Sequence, residues 1–368
     1  MWGYLVTALL AASAQLYMTK RARPESIKFR GGAQYPSIPK YTSDILSEAE
    51  HEAFKRDGFI IKKGLLKGKE LTEVIDAGEI YYKAKLTSLQ KIFSSSFAKL
   101  GFDVWRVNEK FTQVAMESAF PGIAAELMGM DSRTEEEKSV RILRDGFFGL
   151  KNKNNTGCGF HVDDPGFWPA TEDSTGVNFW LALSPIRIAE GGGIRVVNQT
   201  LSRPFFDECK AVIQRMGPYG PSTCFMESLS PECHQKMMES SMVFDMEPGD
   251  ALIWDRWTFH RSEPFRNDAN NAPDEEEEIY KLRYTIRYVP GSALASGMVH
   301  KSQEQGLPFD GPYYPKVWPD FVKEEIDSIR NGLGPDMDFS FSKILKQSQE
   351  KIAKKIGDGF RILVPKKV

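Results

Sequence analysis

Glu247-Pro248-Gly249-Asp250-Ala251-Leu252-Ile253-Trp254-Asp255-Arg256-Trp257-Thr258-Phe259-His260-Arg261-Ser262 reads as a turn, a short apolar strand, a polar bend and a returning segment. Pro-Gly-Asp supplies the turn chemistry, the apolar run is too short for a helix, and the second bend reverses the chain before His260. The same texture extends in both directions: short apolar runs bounded by Gly, Pro and Asn occupy 140–151, 176–183, 193–197, 241–246 and 279–289. Many short strands between turn signals predict a β barrel or jelly roll rather than a doubly wound sheet. Upstream, Ser47-Glu48-Ala49-Glu50 is a capping box that opens a helix, and Asp57-Gly58 ends it before a short strand at 59–61. Helical periodicity follows over 69–89 and 112–128. The expected fold class is α+β with a mainly β core and an N-terminal helical cover. Residues 201–240 show no strand period and read as an insertion of the kind that covers a site.

At 368 residues the chain can bury a large core, and 48 basic against 50 acidic residues leave no field that favours nucleic acid. Cys158, Cys209, Cys224 and Cys233 follow no paired zinc spacing and are too sparse for a disulfide scaffold, so they read as reduced thiols. Residues 2–18 carry no charged side chain and are closed by Lys20, Arg21 and Arg23. That length is the lower limit for crossing a bilayer, and by the positive-inside rule the cations stay cytosolic. Residues 1–23 are thus expected to be a membrane anchor with the catalytic part facing the cytosol. The alternative is a targeting segment, removed in an organelle such as a mitochondrion or plastid. Residues 24–43, rich in Pro, Gly and Ser, read as a linker, 44–300 as the catalytic domain and 301–368 as a C-terminal extension. The acidic run 274–278 reads as a solvated loop, and 342–356 as a surface helix.

Within this frame one triplet carries chemistry. In a strand, alternate side chains share a face, so His161 and Asp163 point one way and Val162 the other. In a jelly roll, strands distant in sequence lie side by side, which can bring His260 opposite His161. Two imidazoles and a carboxylate hold Fe(II) on one face and leave adjacent positions open for a 2-oxo acid and O2. Farther on, Arg283, Thr285 and Arg287 share one strand face, so a guanidinium with a nearby hydroxyl can clamp the acid's far carboxylate. Which arginine serves depends on register. The same three ligands could instead hold Zn(II) for hydrolysis, or the jelly roll could be a non-catalytic binding module. Phe167 and Trp168 either line a pocket beside the metal or fill the core.

From about Ser47 to Pro290 the chain resembles the phytanoyl-CoA dioxygenase family of Fe(II)- and 2-oxoglutarate-dependent oxygenases. The resemblance rests on an ordered set. It comprises Arg56-Asp57-Gly58-Phe59, His161-Val162-Asp163, Trp180 within Asn-Phe-Trp-Leu-Ala-Leu, Gly191-Gly192-Gly193, Pro248-Gly249-Asp250, His260-Arg261-Ser262 and Arg283. It implies a double-stranded β-helix (jelly roll, cupin-like), with His161, Asp163 and His260 on iron and Arg283 on the 2-oxoglutarate carboxylate. Trp180 is implied to lie near the cosubstrate, and Thr285 fits the wider Arg-x-Ser/Thr pattern. Expected cofactors are Fe(II), 2-oxoglutarate as cosubstrate, and O2. The expected reaction is hydroxylation of an unactivated C–H bond in a small-molecule or lipid-like substrate, with release of succinate and CO2. Asp163 favours hydroxylation over halogenation, because the halogenating branch has a small residue there. Asn198-Gln199-Thr200-Leu201-Ser202 departs from the family's usual turn, and the acidic run lengthens the interval between His260 and Arg283.

Overall fold

The computed structural model describes residues 45–84, 99–106, 108–130, 138–151, 157–163, 168–214, 226–266, 280–296, 299 and 303–320. Among them the strands are β1 Phe59–Lys62, β2 Lys99–Phe102, β3 Val140–Lys151, β4 Val177–Ala182, β5 Ile194–Val197, β6 Ser241–Val243, β7 Ala251–Asp255, β8 His260–Ser262, β9 Tyr280–Pro290 and β10 Lys316–Trp318. The longer helices are α1 Glu48–Asp57, α2 Gly68–Lys83, α3 Phe120–Leu127, α4 Phe206–Gln214 and α5 Pro231–Glu239. The strands pair antiparallel throughout. A seven-stranded sheet runs β1-β7-β4-β9-β3-β10 with β2 also on β3, and a three-stranded sheet runs β6-β5-β8. The two sheets form an open jelly-roll core and do not close into a barrel.

The capping box forms as read: Glu50 N–H donates to Ser47 Oγ, Ser47 N–H donates to Glu50, and Gly58 ends α1 at φ 78°. The 112–128 pattern instead breaks into Glu109–Thr112, a wider turn Gln113–Glu117 and α3. Ser118 accepts from Phe120 N–H, and Pro121 has no N–H to continue the earlier ladder, so a new helix begins there. Beyond residue 300, β10 pairs with β3, so the large sheet draws on the segment expected to be an extension.

Both faces of the large sheet are buried, which explains why its strands read as near-continuous apolar runs rather than as alternations. On the outer face Phe120 stacks on Phe179 (5.0 Å), Phe111 meets Tyr284 (4.7 Å) and Tyr288 donates to Ala115 O (2.6 Å), which seats the N-terminal helices. Trp168 belongs to that buried cluster and is core rather than pocket wall. On the inner face Trp180, Leu252 and Trp254 fill the space between the sheets with Phe59, Ile194, Val196 and Met246. Gly249, at φ 90°, turns the chain into β7, and a Cβ there would lie 2.1 Å from Leu66 O.

The insertion is helical. Met226, Met237, Cys209 and Cys233 pack against Phe160, Val162, Val197 and Phe259, on the side of the small sheet opposite His161 and His260. The described part of the insertion therefore backs the small sheet rather than covering a mouth. The cysteines correct the thiol expectation, for Cys209 and Cys233 form a disulfide between α4 and α5 and Cys158 is also disulfide-bonded. No spacing motif announces a bond made by two helices packing side by side. Residues 1–44, 167, 224, 274–278 and 342–356, which carry the expected anchor, linker, acidic loop and terminal helix, lie outside the described residues. Among the described residues no helix is long and apolar enough to cross a membrane.

Asp145, fully buried on β3, accepts from Trp105 N–H (2.9 Å) and Tyr284 Oη (2.5 Å). Burial, then the nearby Asp103 carboxylate, raises its pKa to about 8. A raised folded pKa contributes stability that is present below the unfolded value of about 3.9 and is lost as pH rises through about 8. Denaturant titrations are therefore expected to show wild-type stability falling between pH 5 and 8, with Asp145→Asn flattening that slope. Replacing both Cys209 and Cys233 by Ser opens a crosslink spanning 24 residues, with an expected loss of about 3 kcal/mol in the same titrations.

Candidate metal centre

β8 and the segment carrying His161 meet in a single antiparallel rung. His161 N–H donates to His260 O (3.0 Å) and His260 N–H donates to His161 O (2.9 Å). This reciprocal pair sets the two rings side by side, with centroids 4.2 Å apart. Asp163, two residues on, returns to the same face, and one ligand atom from each of the three residues lies within 4.8 Å of the others. Behind the rung, Gly157 holds φ 69° and approaches Ser262 so closely that a Cβ would lie 2.1 Å from Ser262 Cβ.

Tautomers follow from the hydrogen bonds. His161 Nδ1 lies 2.7 Å from Gly159 O and His260 Nδ1 lies 3.0 Å from Thr258 O, so each Nδ1–H donates to a carbonyl and Nε2 is the nitrogen left to a metal. Burial, reinforced by His161, pushes His260 down to about 3. The 3.8 Å approach of His260 Nε2 to Asp163 Oδ1 is thus a neutral imidazole beside a carboxylate, not an ion pair. Burial alone would raise Asp163, but the Arg287 guanidinium above all holds it down at about 2. Arg287 Nε donates to Oδ2 (2.7 Å) and Nη2 to Oδ1 (3.2 Å). Each carboxylate oxygen has two lone-pair directions, so both contacts leave one for a cation. Two imidazoles anchored through Nδ1 and an ionised carboxylate are a donor set that fits Fe(II).

The structure gives the two arginines different partners. On β9 the inner-facing residues are Arg283, Thr285 and Arg287, opposite Ala182, Trp180 and Asn178 of β4. Arg287 is committed to Asp163. Arg283, four residues back, is 3 % exposed, donates from Nη2 to Ser262 Oγ (3.1 Å) and lies 5.6 Å from the Trp180 ring. Burial lowers its pKa to about 9, which an anion beside it would offset. Thr285 Oγ1 accepts from Arg287 Nη1 (3.3 Å), so it supports that arginine. The six residues singled out from sequence therefore gather in one interior.

Three further polar residues of the interior carry no expected role in the sequence: Ser262, Asn178 and the Trp254 indole, whose ring lies 4.9 Å from that of His260. The alternation rule could have found Asn178, because it stands two residues before Trp180 in an otherwise apolar strand.

Cutting the buried pair gives a test. Arg287→Gln leaves the Asp163 charge uncompensated, with an expected loss of about 3–5 kcal/mol in the metal-free protein. Saturating Mn(II) is expected to restore more stability to the variant than to wild type in parallel thermal melts, because the cation then supplies the missing charge.

The sequence profile described as "Phytanoyl-CoA dioxygenase (PhyH)" matches residues 54–270. Among solved structures, the non-heme alpha ketoglutarate dependent carbocyclase SnoK from nogalamycin biosynthesis is similar over 76% of this chain and 99% of its own, at 15% identity and TM-score 0.54. The epimerase SnoN from the same biosynthesis is similar over 73% of this chain and 97% of its own, at 16% identity and TM-score 0.53. No curated protein sequence gives a significant match. The two structures attest the fold, and the profile spans more than half of the sequence, both histidines and the aspartate included. The chain belongs to the phytanoyl-CoA dioxygenase family, and with it to the iron- and 2-oxoglutarate-dependent oxygenases.

Proposed function

We propose that the protein hydroxylates an unactivated C–H bond of a small-molecule or lipid-like substrate, while 2-oxoglutarate and O2 are consumed and succinate and CO2 are released. The balance is one oxygen atom to the substrate and one to succinate. His161, Asp163 and His260 would hold Fe(II), which when bound supplies the redox chemistry that activates O2 against a C–H bond. The carrying observation is the triad, half-buried at His161 and buried at Asp163 and His260, beside a second buried cation, Arg283, that is not the one paired with Asp163.

The chain's own residues account for placement. His161 and His260 arrive with their rings fixed through Nδ1, and His260 arrives neutral, so metal binding need not strip a proton from it. Arg287 orients Asp163, and Arg283 with Ser262 is placed to take the far carboxylate of the cosubstrate. Trp180 and Thr285 lie between these groups, and the aromatic wall of Trp180 and Trp254 excludes water. Zinc hydrolysis would use the same three ligands but gives Arg283 no task.

SnoK and SnoN are named for activity on a small-molecule natural product, which supports a small-molecule substrate here. Attachment to a membrane through residues 2–18 rests on that uncharged run alone. The Cys209–Cys233 bond supports a compartment that preserves disulfides rather than a reducing cytosol.

Succinate release is the decisive assay. It is expected to require Fe(II), 2-oxoglutarate and O2 together, to vanish in His161→Ala, and to stay absent when chelated enzyme is reloaded with zinc. Arg283→Gln is expected to raise the KM for 2-oxoglutarate about ten- to a hundredfold through loss of one charge-assisted contact. Its Mn(II) affinity is expected to be unchanged, because the guanidinium that holds Asp163 is that of Arg287 and not that of Arg283.

A further inference from the structure

Asn178 lies on the inner face of β4, one residue after its start, and is 1 % exposed. Its partner on one side is Trp254 of β7 and on the other Arg287 of β9. Directly opposed residues of an antiparallel pair project from the same face, so the Asn178 amide sits between two side chains that both touch the triad. Trp254 lies against the His260 ring, and Arg287 grips Asp163. Among the described residues neither Nδ2 nor Oδ1 of Asn178 has a hydrogen-bond partner, and Trp254 Nε1 has none either. A buried amide left unsatisfied is costly, of the same order as a lost hydrogen bond or more. Strand β4 is otherwise apolar, so a leucine of similar shape would fill the same position without that cost.

The rungs of the large sheet order this interior by polarity. At one end stand Arg283 and Ser262, then Trp180 across from Thr285, then Asn178 at the level of the triad. Asn178 and Arg283 are four residues apart in register, about 13 Å along the strands. The sequence of cation, apolar wall and amide complements a molecule with a carboxylate, a short methylene chain and a second polar head. We infer that Asn178, assisted by Trp254 Nε1, is a subsite that donates hydrogen bonds to the oxo-acid end of 2-oxoglutarate, opposite the carboxylate taken by Arg283. This rests on the reading of 2-oxoglutarate as cosubstrate. Asn178 is a positioning residue for that head group, and its unpartnered amide is the cost of keeping the subsite ready.

The test compares two properties that a structural role would couple and a binding role separates. Asn178→Leu and Trp254→Phe are prepared alongside wild type, and 2-oxoglutarate binding to the Mn(II)-loaded proteins is measured calorimetrically without O2. Pyruvate, which keeps the oxo-acid end and lacks the far carboxylate, is titrated as the second probe. Asn178→Leu is expected to weaken both ligands by a similar factor of about ten or more. Its metal-free melting temperature is expected to stay level or rise. Trp254→Phe, which keeps the ring against His260, is expected to show a smaller loss in the same direction. Arg283→Gln, in contrast, is expected to weaken 2-oxoglutarate and leave pyruvate unchanged.

If Asn178→Leu binds both ligands as wild type does while its melting temperature falls, the amide is structural and the subsite is wrong, although the oxygenase reading stands. Should Asn178→Leu fail to fold, an unaltered 2-oxoglutarate affinity in Trp254→Phe overturns the subsite by itself. Wild-type protein that does not bind 2-oxoglutarate removes both the subsite and the reading beneath it.

Discussion

The reciprocal pair of backbone hydrogen bonds between His161 and His260 is the constraint on which the site depends. It joins segments nearly a hundred residues apart and fixes their register at one rung. Because strand side chains alternate, a slip by a single residue would carry His161 and Asp163 to the far side and present Val162 instead. The packing behind the rung opposes that slip. Phe160, Val162 and Phe259 are locked into the cluster formed with α4 and α5, so the face that must stay outside is held by apolar burial. The ligands are thus positioned as much by what their neighbours bury as by their own contacts.

The large sheet adds charge order to that geometry. Two arginines four residues apart on β9 look equivalent in sequence, yet one neutralises Asp163 and the other donates to Ser262 beside the Trp180 ring. The Arg287 pairing explains how a carboxylate can remain ionised while almost wholly buried. Burying an ion pair is expensive, and the pair persists because removing either member alone costs more. Arg283 has a different balance: burial lowers its pKa to about 9, and its Nη2 donates to Ser262 Oγ.

Much of this was legible in the chain. Turn chemistry at Pro248-Gly249-Asp250 and the short apolar runs located the β core, and period-two spacing placed His161 with Asp163 and Arg283 with Thr285 and Arg287. Strand spacing alone could not assign the two arginines, and only the family resemblance pointed to Arg283, because their partners depend on the register between β9 and β4 and on the side from which Asp163 approaches. The helical insertion was missed because its helices Phe206–Gln214 and Pro231–Glu239 are only 9 residues each, too short for their spacing to stand out from the Pro and Gly around them. The Cys209–Cys233 bond arises from tertiary packing of two helices and leaves no local signature. Asn178 shows the opposite case, a polar residue in a buried strand that propensity marks as a defect and the site explains.

One feature of the sulfur chemistry bears on an enzyme that handles O2 beside a ferrous ion. Cys158 stands only three residues before His161, close enough in sequence for a thiolate to intrude as a soft donor or to be consumed by stray oxidant. Its incorporation in a disulfide, and the lack of any free cysteine among the described residues, removes both hazards. The fold thereby limits self-inflicted damage during turnovers in which reduced oxygen escapes without meeting substrate.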